Sequence, residues 1–250
     1  MTRDFDVRWE GELAAPPEVV WDAFTVHSDG WLWRIEYEPR AGGRERGLSP
    51  DGGKVTAWDP PRHFQTRSAD GSAFNQLDYR LEPRGSGTYL RYEHRGVLSD
   101  DDYDVQLDAC RRHTAFYYHS LGEYVRHFPG RPAVYVNVDA PAASATPGGF
   151  GAVRRALGVP DDVAVGDTVR LTPAGIDPID GVVDYLTDVF LGVRSADALY
   201  RVYGRDVWGW PVGVAHHLFG SGVDQAATAR SWSGWLDDVF AGEVAGTEVA

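Results

Sequence analysis

The chain has 250 residues, a formal net charge of -13 and a hydrophobic fraction of 43%. This length allows one large domain or two of ordinary size, and nine Trp and ten Phe supply apolar surface for packed cores. The negative charge repels phosphate backbones and anionic lipid head groups, so we expect no nucleic-acid partner. The sequence contains no run of about 20 apolar residues, so we also expect no membrane insertion.

Cysteine usage and the first residues bear on the compartment. Cys110 is the single cysteine, so the chain cannot form an internal disulfide. Residues 1–7 lack the basic stretch followed by apolar residues that is typical of a secretory signal. We therefore expect a cytoplasmic protein.

The first half of the chain predicts an antiparallel meander between a short helix and a long one. Residues 5–13 alternate as a strand, and Pro17 is placed to open a helix, where a missing N–H does no harm. Residues 52–96 alternate in several runs, the last two joined by a glycine turn. Residues 41–51 are rich in Gly and Arg and predict a mobile loop at the mouth of the meander.

A long amphipathic helix is predicted after the meander and ends at the Pro129-Gly130 pair. Its apolar positions recur at steps of three and four, which places them on one stripe that we expect to be buried. These positions are Leu107, Cys110, Thr114, Tyr117, Leu121, Tyr124 and Phe128.

The pattern then starts again at residue 133, which indicates an internal repeat. Strand-like runs occur at residues 133–138, 168–172, 181–187, 189–194, 198–203 and 212–219, and a Trp-rich helix is predicted at 224–240. His94 aligns with His216, and the Tyr79-Arg80 pair aligns with Tyr200-Arg201. We therefore predict two domains, 1–131 and 132–250; the alternative is two unrelated meanders of similar length.

Four segments of the first half carry a resemblance to a known family: WDPP (58–61), LDYRLEP (77–83), GTYLRYEHRG (87–96) and YVRHFPGR (124–131). The chain resembles the SRPBCC superfamily, which includes START domains, birch-pollen-allergen-like proteins and polyketide cyclases. Within it the chain is most similar to bacterial proteins that resemble the C-terminal domain of the activator of heat-shock-protein ATPase. The resemblance covers residues 5–131 nearly completely.

This resemblance implies an α+β fold made of two tandem helix-grip units, each a curved antiparallel sheet wrapped around a long C-terminal helix. The second unit is more divergent, because Leu186, Thr187 and Asp188 stand where the first has WDPP. We therefore leave open whether the second unit keeps an open cavity or is a filled, structural copy.

The candidate site residues are those expected to face a helix-grip cavity. His94 and His216 share the apolar parity of the last strand of each repeat, and Tyr79 has the inward parity of the strand before. His113 and Tyr117 lie on or beside the apolar stripe of the first long helix. An inward imidazole can act as an acid or base or orient a ligand carbonyl, and a tyrosine hydroxyl can anchor a ligand. Alternatively, each of these side chains is simply part of a core.

We expect no metal and no cofactor. The sequence has no HExxH and no CxxC motif, and its histidines are scattered. The glycines of residues 148–151 follow no convincing strand and no Lys-Ser or Lys-Thr comes after them, so a phosphate-binding loop is not indicated.

The resemblance favours binding of an apolar or amphipathic small molecule in a helix-grip cavity of roughly 300 to 1,000 Å³. A hydrophobic small molecule is therefore the expected partner, and a homodimer is left open. We favour binding over catalysis and leave the question of an enzyme open. One alternative is an aromatase or cyclase acting on a polyketide-like chain, with His94, Tyr79 and an arginine as the available acid and base groups. The other is a regulator of a chaperone ATPase.

Overall fold

The computed structural model describes residues 2–70 and 73–241 and divides the chain into two compact units. Unit 1 is Met1–Pro132 and unit 2 is Ala133–Ala250. Position 1 of the first predicted domain, and positions 242–250 of the second, lie outside the described residues.

Unit 1 contains seven strands and two α-helices among its described residues. The strands are β1 Thr2–Leu13, β2 Glu36–Tyr37, β3 Arg44–Arg46, β4 Gly53–Asp59, β5 His63–Asp70, β6 Ala73–Arg84 and β7 Gly87–Ser99. The helices are α1 Pro17–Thr25 and α2 Tyr103–His127.

These strands form one antiparallel sheet in the order β1-β7-β6-β5-β4-β3-β2, so the first strand pairs with the last and the chain then meanders back. The turn between β6 and β7 is closed by the pair Arg84 and Gly87. Gly85 adopts a φ of 60° in this turn, a conformation that glycine reaches without the steric penalty of a side chain. Helix α2 packs against β1 and β7, and α1 packs beside it.

The prediction of a loop at residues 41–51 is wrong at its centre. β3 lies there and pairs with both β2 and β4. Glu45 in β3 is buried, and its Oε1 accepts a hydrogen bond of 2.7 Å from the backbone N–H of Leu48. Residues rich in Gly and Arg form a strand here because β3 has a pairing partner on each side.

The buried surface of α2 also differs from the predicted stripe. Leu107, Cys110 and Tyr117 are only half-buried, whereas Phe116 and Tyr118 are buried although the stripe omits them. The helix is therefore covered over a wider surface than one stripe. The ring of Tyr118, for example, contacts aromatic rings from both β1 and β7.

Unit 2 repeats this arrangement with six strands and two α-helices among its described residues. The strands are β8 Val134–Asp139, β9 Thr168–Leu171, β10 Ile179–Leu186, β11 Phe190–Arg194, β12 Ala198–Tyr203 and β13 Gly213–Leu218. The helices are α3 Gly149–Ala156 and α4 Gln225–Ala241.

The sheet of unit 2 has the order β8-β13-β12-β11-β10-β9, in which the first strand again pairs with the last. Helix α4 packs against β8, and α3 contacts α4. The apolar core joins valines of the sheet, such as Val183, Val202 and Val214, to Trp232 and Trp235 of α4. The predicted α+β fold of two helix-grip units is therefore confirmed.

Candidate functional site

Aromatic rings fill the space around Tyr79 in unit 1. Its ring centroid lies 4.8 Å from Phe24, 5.4 Å from Phe64 and 5.2 Å from Tyr92. Its side chain is 4% exposed, and its hydroxyl hydrogen-bonds to that of Tyr118. Burial raises the pKa of Tyr79 well above the ordinary value, so the phenol stays protonated. Tyr79 therefore lies in a packed aromatic cluster.

His94 lies at one end of this interior, between the sheet and α2. Its Nε2 makes a short hydrogen bond to Oδ1 of Asn75, and its Nδ1 lies 3.5 Å from Sγ of Cys110. Because an amide oxygen only accepts, Nε2 carries the proton and Nδ1 is left to accept from the thiol. Burial lowers the pKa of His94 to about 4 and raises the pKa of the Cys110 thiol. The pair is therefore neutral near pH 7.

His113 and Tyr117 are neighbours on α2, with ring centroids 5.8 Å apart. Nδ1 of His113 donates to the backbone carbonyl of Ala109, 2.8 Å away, and the Tyr117 ring lies 5.9 Å from that of Trp33. Both side chains are half-buried. The structure thus places Tyr79 and His94 around a shared neighbour, Tyr92, and groups His113 with Tyr117 beside Trp33.

His216 is in unit 2, in the interior between β13 and α4. Its ring centroid lies 4.3 Å from Trp232 and 5.0 Å from Tyr200, and the side chain has no exposed surface. Nδ1 accepts a hydrogen bond of 3.3 Å from the backbone N–H of Arg201, so the proton of the neutral ring is on Nε2. Burial, followed by the positive charges nearby, lowers the pKa of His216 to about 3.

The two histidine environments are not equivalent, although the sequence aligns them. Tyr79 pairs across the strands with Tyr92 and not with His94. Tyr200, the residue aligned with Tyr79, instead has its ring against His216. The alignment of Tyr79 with Tyr200 and that of His94 with His216 therefore do not both hold in the structure. The reason is that the two sheets pair their last two strands in different registers.

A cavity of about 340 Å³ opens beside His216, between the sheet of unit 2 and α4. Tyr200 and Trp232 line this cavity, and their rings also contact His216. The described lining residues are Ile176, Asp177, Pro178, Ile179, Asp180, Ser195, Ala196, Asp197, Tyr200, Leu218, Thr228 and Trp232. An apolar wall thus meets a rim of carboxylates and hydroxyls.

A buried ion pair holds the centre of the same sheet. Both guanidinium nitrogens Nη1 and Nη2 of Arg201 donate to the carboxylate of Asp184, each at 2.9 Å. Arg201 has no exposed surface. A register shift in β10 between Val183 and Tyr185 accompanies the pair, and a Cβ at Gly192 would collide with both of its members. The glycine at position 192 therefore leaves room for this bidentate contact.

Sequence reasoning missed Trp232, Asp197 and the Arg201–Asp184 pair as parts of this region. One signal was available for Tyr200, because the alternation of ALYRVY at 198–203 puts it on the same face as Val202, which belongs to the core against α4. No comparable signal existed for Asp184, because the register shift in β10 breaks the alternation at that point.

Across residues 2–70 and 73–241, no three His, Cys, Asp or Glu side chains lie close enough together to hold a metal ion. In the same part of the chain, no helix combines the length and the apolar character needed to cross a membrane.

An antiparallel sheet whose first strand pairs with the last, closed by a long final helix, defines the helix-grip class of protein. Residues 14–126 match the family described as Activator of Hsp90 ATPase homolog 1-like protein. This match lies wholly within unit 1, so unit 1 is similar to that family, as the resemblance predicted. A comparison with curated proteins finds no match.

Solved structures with a similar fold each cover about half of the chain. CalU16 from Micromonospora echinospora is 21% identical, with coverage of 50% of this chain and 86% of its own and a TM-score of 0.39. A protein from Mesorhizobium loti is 19% identical, with 50% and 98% coverage and a TM-score of 0.43. The Aha1 dimer from Colwellia psychrerythraea is 18% identical, with 48% and 94% coverage and a TM-score of 0.40.

Proposed function

We propose that this chain binds an amphipathic small molecule, and that the binding site is the cavity between the sheet and α4 of unit 2. The observation that carries this proposal is the cavity itself, whose volume of about 340 Å³ falls within the range typical of small-molecule sites. Tyr200, Leu218 and Trp232 supply an apolar wall, and Ser195 and Thr228 supply hydroxyls. Such a mixture suits a ligand with one apolar and one polar end.

The positions predicted from the sequence in unit 1 support this choice less well. Tyr79 is enclosed by rings and His94 is tied to Asn75 and Cys110, so a ligand reaching them would have to displace existing contacts. Of the predicted site residues, His216 has the most direct relation to the proposed site, because its ring contacts those of Tyr200 and Trp232, which line the cavity.

The protonation states of His94 and His216 give limited support to a catalytic function. Burial holds the pKa of His94 near 4 and that of His216 near 3, so both imidazoles are neutral at pH 7. A neutral imidazole can accept a proton but is a poor general acid, because its donating form is scarcely populated. The aromatase or cyclase alternative, which needs both an acid and a base, is therefore less favoured.

Regulation of a chaperone ATPase is the second candidate, and it rests on the family match of residues 14–126. It places the activity in unit 1, whereas ligand binding is proposed for unit 2. The rate of ATP hydrolysis by purified Hsp90, measured with and without the chain, tests it. A dose-dependent rise in that rate would support the second candidate, and an unchanged rate would remove it.

The proposed function is tested by filling the cavity. Thr228 lines it from α4, so Thr228→Trp should occupy the space and abolish binding. Ser231 is exposed on the same helix, so Ser231→Trp adds the same ring without filling the cavity. Organic extracts of the native protein and both variants, purified identically, are compared by mass spectrometry, and naphthylethanol binding is measured by calorimetry.

We expect a compound or a probe that binds to the native protein and to Ser231→Trp but not to Thr228→Trp. Circular dichroism and thermal unfolding establish that both variants are folded. Equal binding by a folded Thr228→Trp variant would show that the ligand lies elsewhere. The absence of any bound compound, together with no binding of naphthylethanol, would contradict a binding function for the cavity.

A further inference from the structure

Carboxylates dominate the polar rim of the unit 2 cavity. Asp177 reaches it from the segment that leads into β10, Asp180 from β10 itself, and Asp197 from the turn between β11 and β12. The described lining residues include no Lys, Arg or His. Arg170, outside the lining set, binds Asp180 through its Nη1 at 2.7 and 2.8 Å. The rim therefore keeps a negative charge even after this pair is counted.

The Asp197 carboxylate is held in place by its own turn. The Ser195 hydroxyl donates to Oδ1 of Asp197 at 3.1 Å, and the backbone N–H of Asp197 donates to the Ser195 oxygen at 3.3 Å. The backbone N–H of Phe219 donates to the Asp197 carbonyl at 2.8 Å, which ties the turn to the end of β13. The charge therefore stays at the rim, because three hydrogen bonds fix the turn that carries it.

Asp177 is exposed and makes no ion pair within the part of the chain that the structure describes. An exposed, unneutralised carboxylate beside an apolar cavity attracts a cation, and the attraction is stronger there than in bulk water because the cavity wall excludes part of the solvent. Two such groups on the rim act in the same direction.

The aromatic wall adds a second attraction for positive charge. The faces of Trp and Tyr rings attract cations, and the attraction grows when water is excluded. Tyr200 and Trp232 both line this cavity. The negative charge of the rim acts on Tyr200, because burial, with the charge of Asp197 adding to its effect, raises the pKa of Tyr200 to about 12. A cation bound there would act on Tyr200 in the opposite direction.

We infer that the cavity of unit 2 selects organic cations, that is, molecules with an apolar body and an ammonium or guanidinium end. This inference rests on the proposed function. The apolar body packs on Leu218, Tyr200 and Trp232, and the cationic end lies at the rim beside Asp177 and Asp197. A carboxylate or phosphate at the same end is rejected, because it meets two unneutralised negative charges and no cation on the lining.

Three probes of one shape test this selectivity: naphthylethylammonium, naphthylethanol and naphthylacetate. Calorimetric titration of the full chain at pH 7 should give the tightest binding for the ammonium, weaker binding for the alcohol and the weakest for the carboxylate. We expect the ammonium and the carboxylate to differ by about tenfold or more at low salt, and the gap to narrow as salt screens the rim.

Single variants assign the selectivity to the rim. Asp197→Asn and Asp177→Asn should each weaken binding of the ammonium roughly threefold and leave binding of the alcohol unchanged. Asp161→Asn is the matched control, because it removes the same charge from an exposed position outside the cavity lining. It should change neither affinity measurably.

The outcomes separate this inference from the function on which it rests. If all three probes bind equally, or the carboxylate binds most tightly, the inference is overturned while the proposed binding function stands. If none of the probes binds to the native protein, the proposed function fails and the inference fails with it. Ammonium binding that is equally weakened by Asp161→Asn would reflect the net charge of the whole chain and would also overturn the assignment to the rim.

Discussion

Two units with one topology differ in what lies between the sheet and the final helix. In unit 1 this space holds a cluster of rings, with Tyr79, Tyr92 and Tyr118 linked at distances of 4.7 to 5.2 Å. In unit 2 the sheet presents valines towards the helix and leaves a cavity of about 340 Å³ beside Tyr200 and Trp232. Large rings therefore occupy the interior of unit 1 around Tyr79, whereas the interior of unit 2 is open beside Tyr200.

The same difference changes how charge is buried. Unit 1 has its ion pairs mainly on exposed strand surfaces, as in the pairs of Arg91 with Glu82 and Arg84 with Glu12. Unit 2 buries a complete pair, Arg201 with Asp184, in the middle of its sheet. A buried pair fixes two strands in one arrangement, because separating the two opposite charges in a poorly solvated interior is costly.

The largest expected effect therefore concerns that pair. Asp184→Ala removes the carboxylate that both guanidinium nitrogens of the buried Arg201 contact, and should lower the free energy of unfolding by about 3 to 5 kcal/mol. Asp180→Ala in the same strand is the control, because it breaks an exposed pair with Arg170 and should cost only about 0 to 1 kcal/mol. Urea unfolding followed by circular dichroism measures both. Equal losses in the two variants would contradict a special role for burial.

The second effect is a pH dependence that originates in unit 1. Burial holds the pKa of His94 near 4 in the folded protein, against about 6.5 in the unfolded chain. Below pH 6.5 the unfolded state binds a proton that the folded state does not, so stability is full above that pH and is lost as the pH falls towards 4. The loss corresponds to roughly 3 kcal/mol.

Urea unfolding of the native protein and of His94→Gln, at several values between pH 7 and 4, isolates this contribution from that of the carboxylates. The native protein should lose more stability than the variant over this interval. Parallel curves for the two proteins would show that His94 already titrates normally in the folded state, and would contradict its buried, neutral form.

The smallest expected effect compares the two aligned tyrosines. Tyr79→Phe removes a buried hydroxyl that hydrogen-bonds to Tyr118, and should cost about 1 kcal/mol. Tyr200→Phe changes a half-buried residue at the cavity wall and should alter stability by less than about 0.5 kcal/mol. Thermal unfolding measures both. A larger loss for Tyr200→Phe than for Tyr79→Phe would reverse the distinction between a filled and an open unit.

Sequence patterns were sufficient for the fold because period-two and period-3.6 alternation survive in most elements. The alternation of residues 198–203 predicts β12 with its observed bounds, and the Trp-rich pattern at 224–240 predicts α4 to within one residue at each end. The predicted roles of Tyr79, His94, His113, Tyr117 and His216 in ligand binding stay predictions. Their parity indicates which way they face, but parity carries no information about the space in front of them.

The cavity and the ion pair could not be predicted because both depend on tertiary packing. The cavity lies where Tyr200 and Leu218 of the sheet meet Trp232 of α4, and the packing of these side chains is determined only once the register is known. Asp184 reaches Arg201 through a register shift in β10, which a regular alternation does not contain. β3 similarly forms through its pairing with β2 and β4, although its segment has the composition of a loop.

The most direct test of the open cavity in unit 2 is the set of indole N–H signals in a proton–nitrogen spectrum of the full chain. Nine tryptophans give nine signals, and the variants Trp232→Phe and Trp31→Phe assign the signals of Trp232 and Trp31. The Trp31 indole donates to the Ala23 carbonyl at 2.9 Å inside unit 1, whereas Trp232 lines the unit 2 cavity. Titration with naphthylethanol should shift the Trp232 signal progressively and leave that of Trp31 in place. A shift of Trp31 with no change in Trp232 would place the binding site in unit 1 and contradict the proposal.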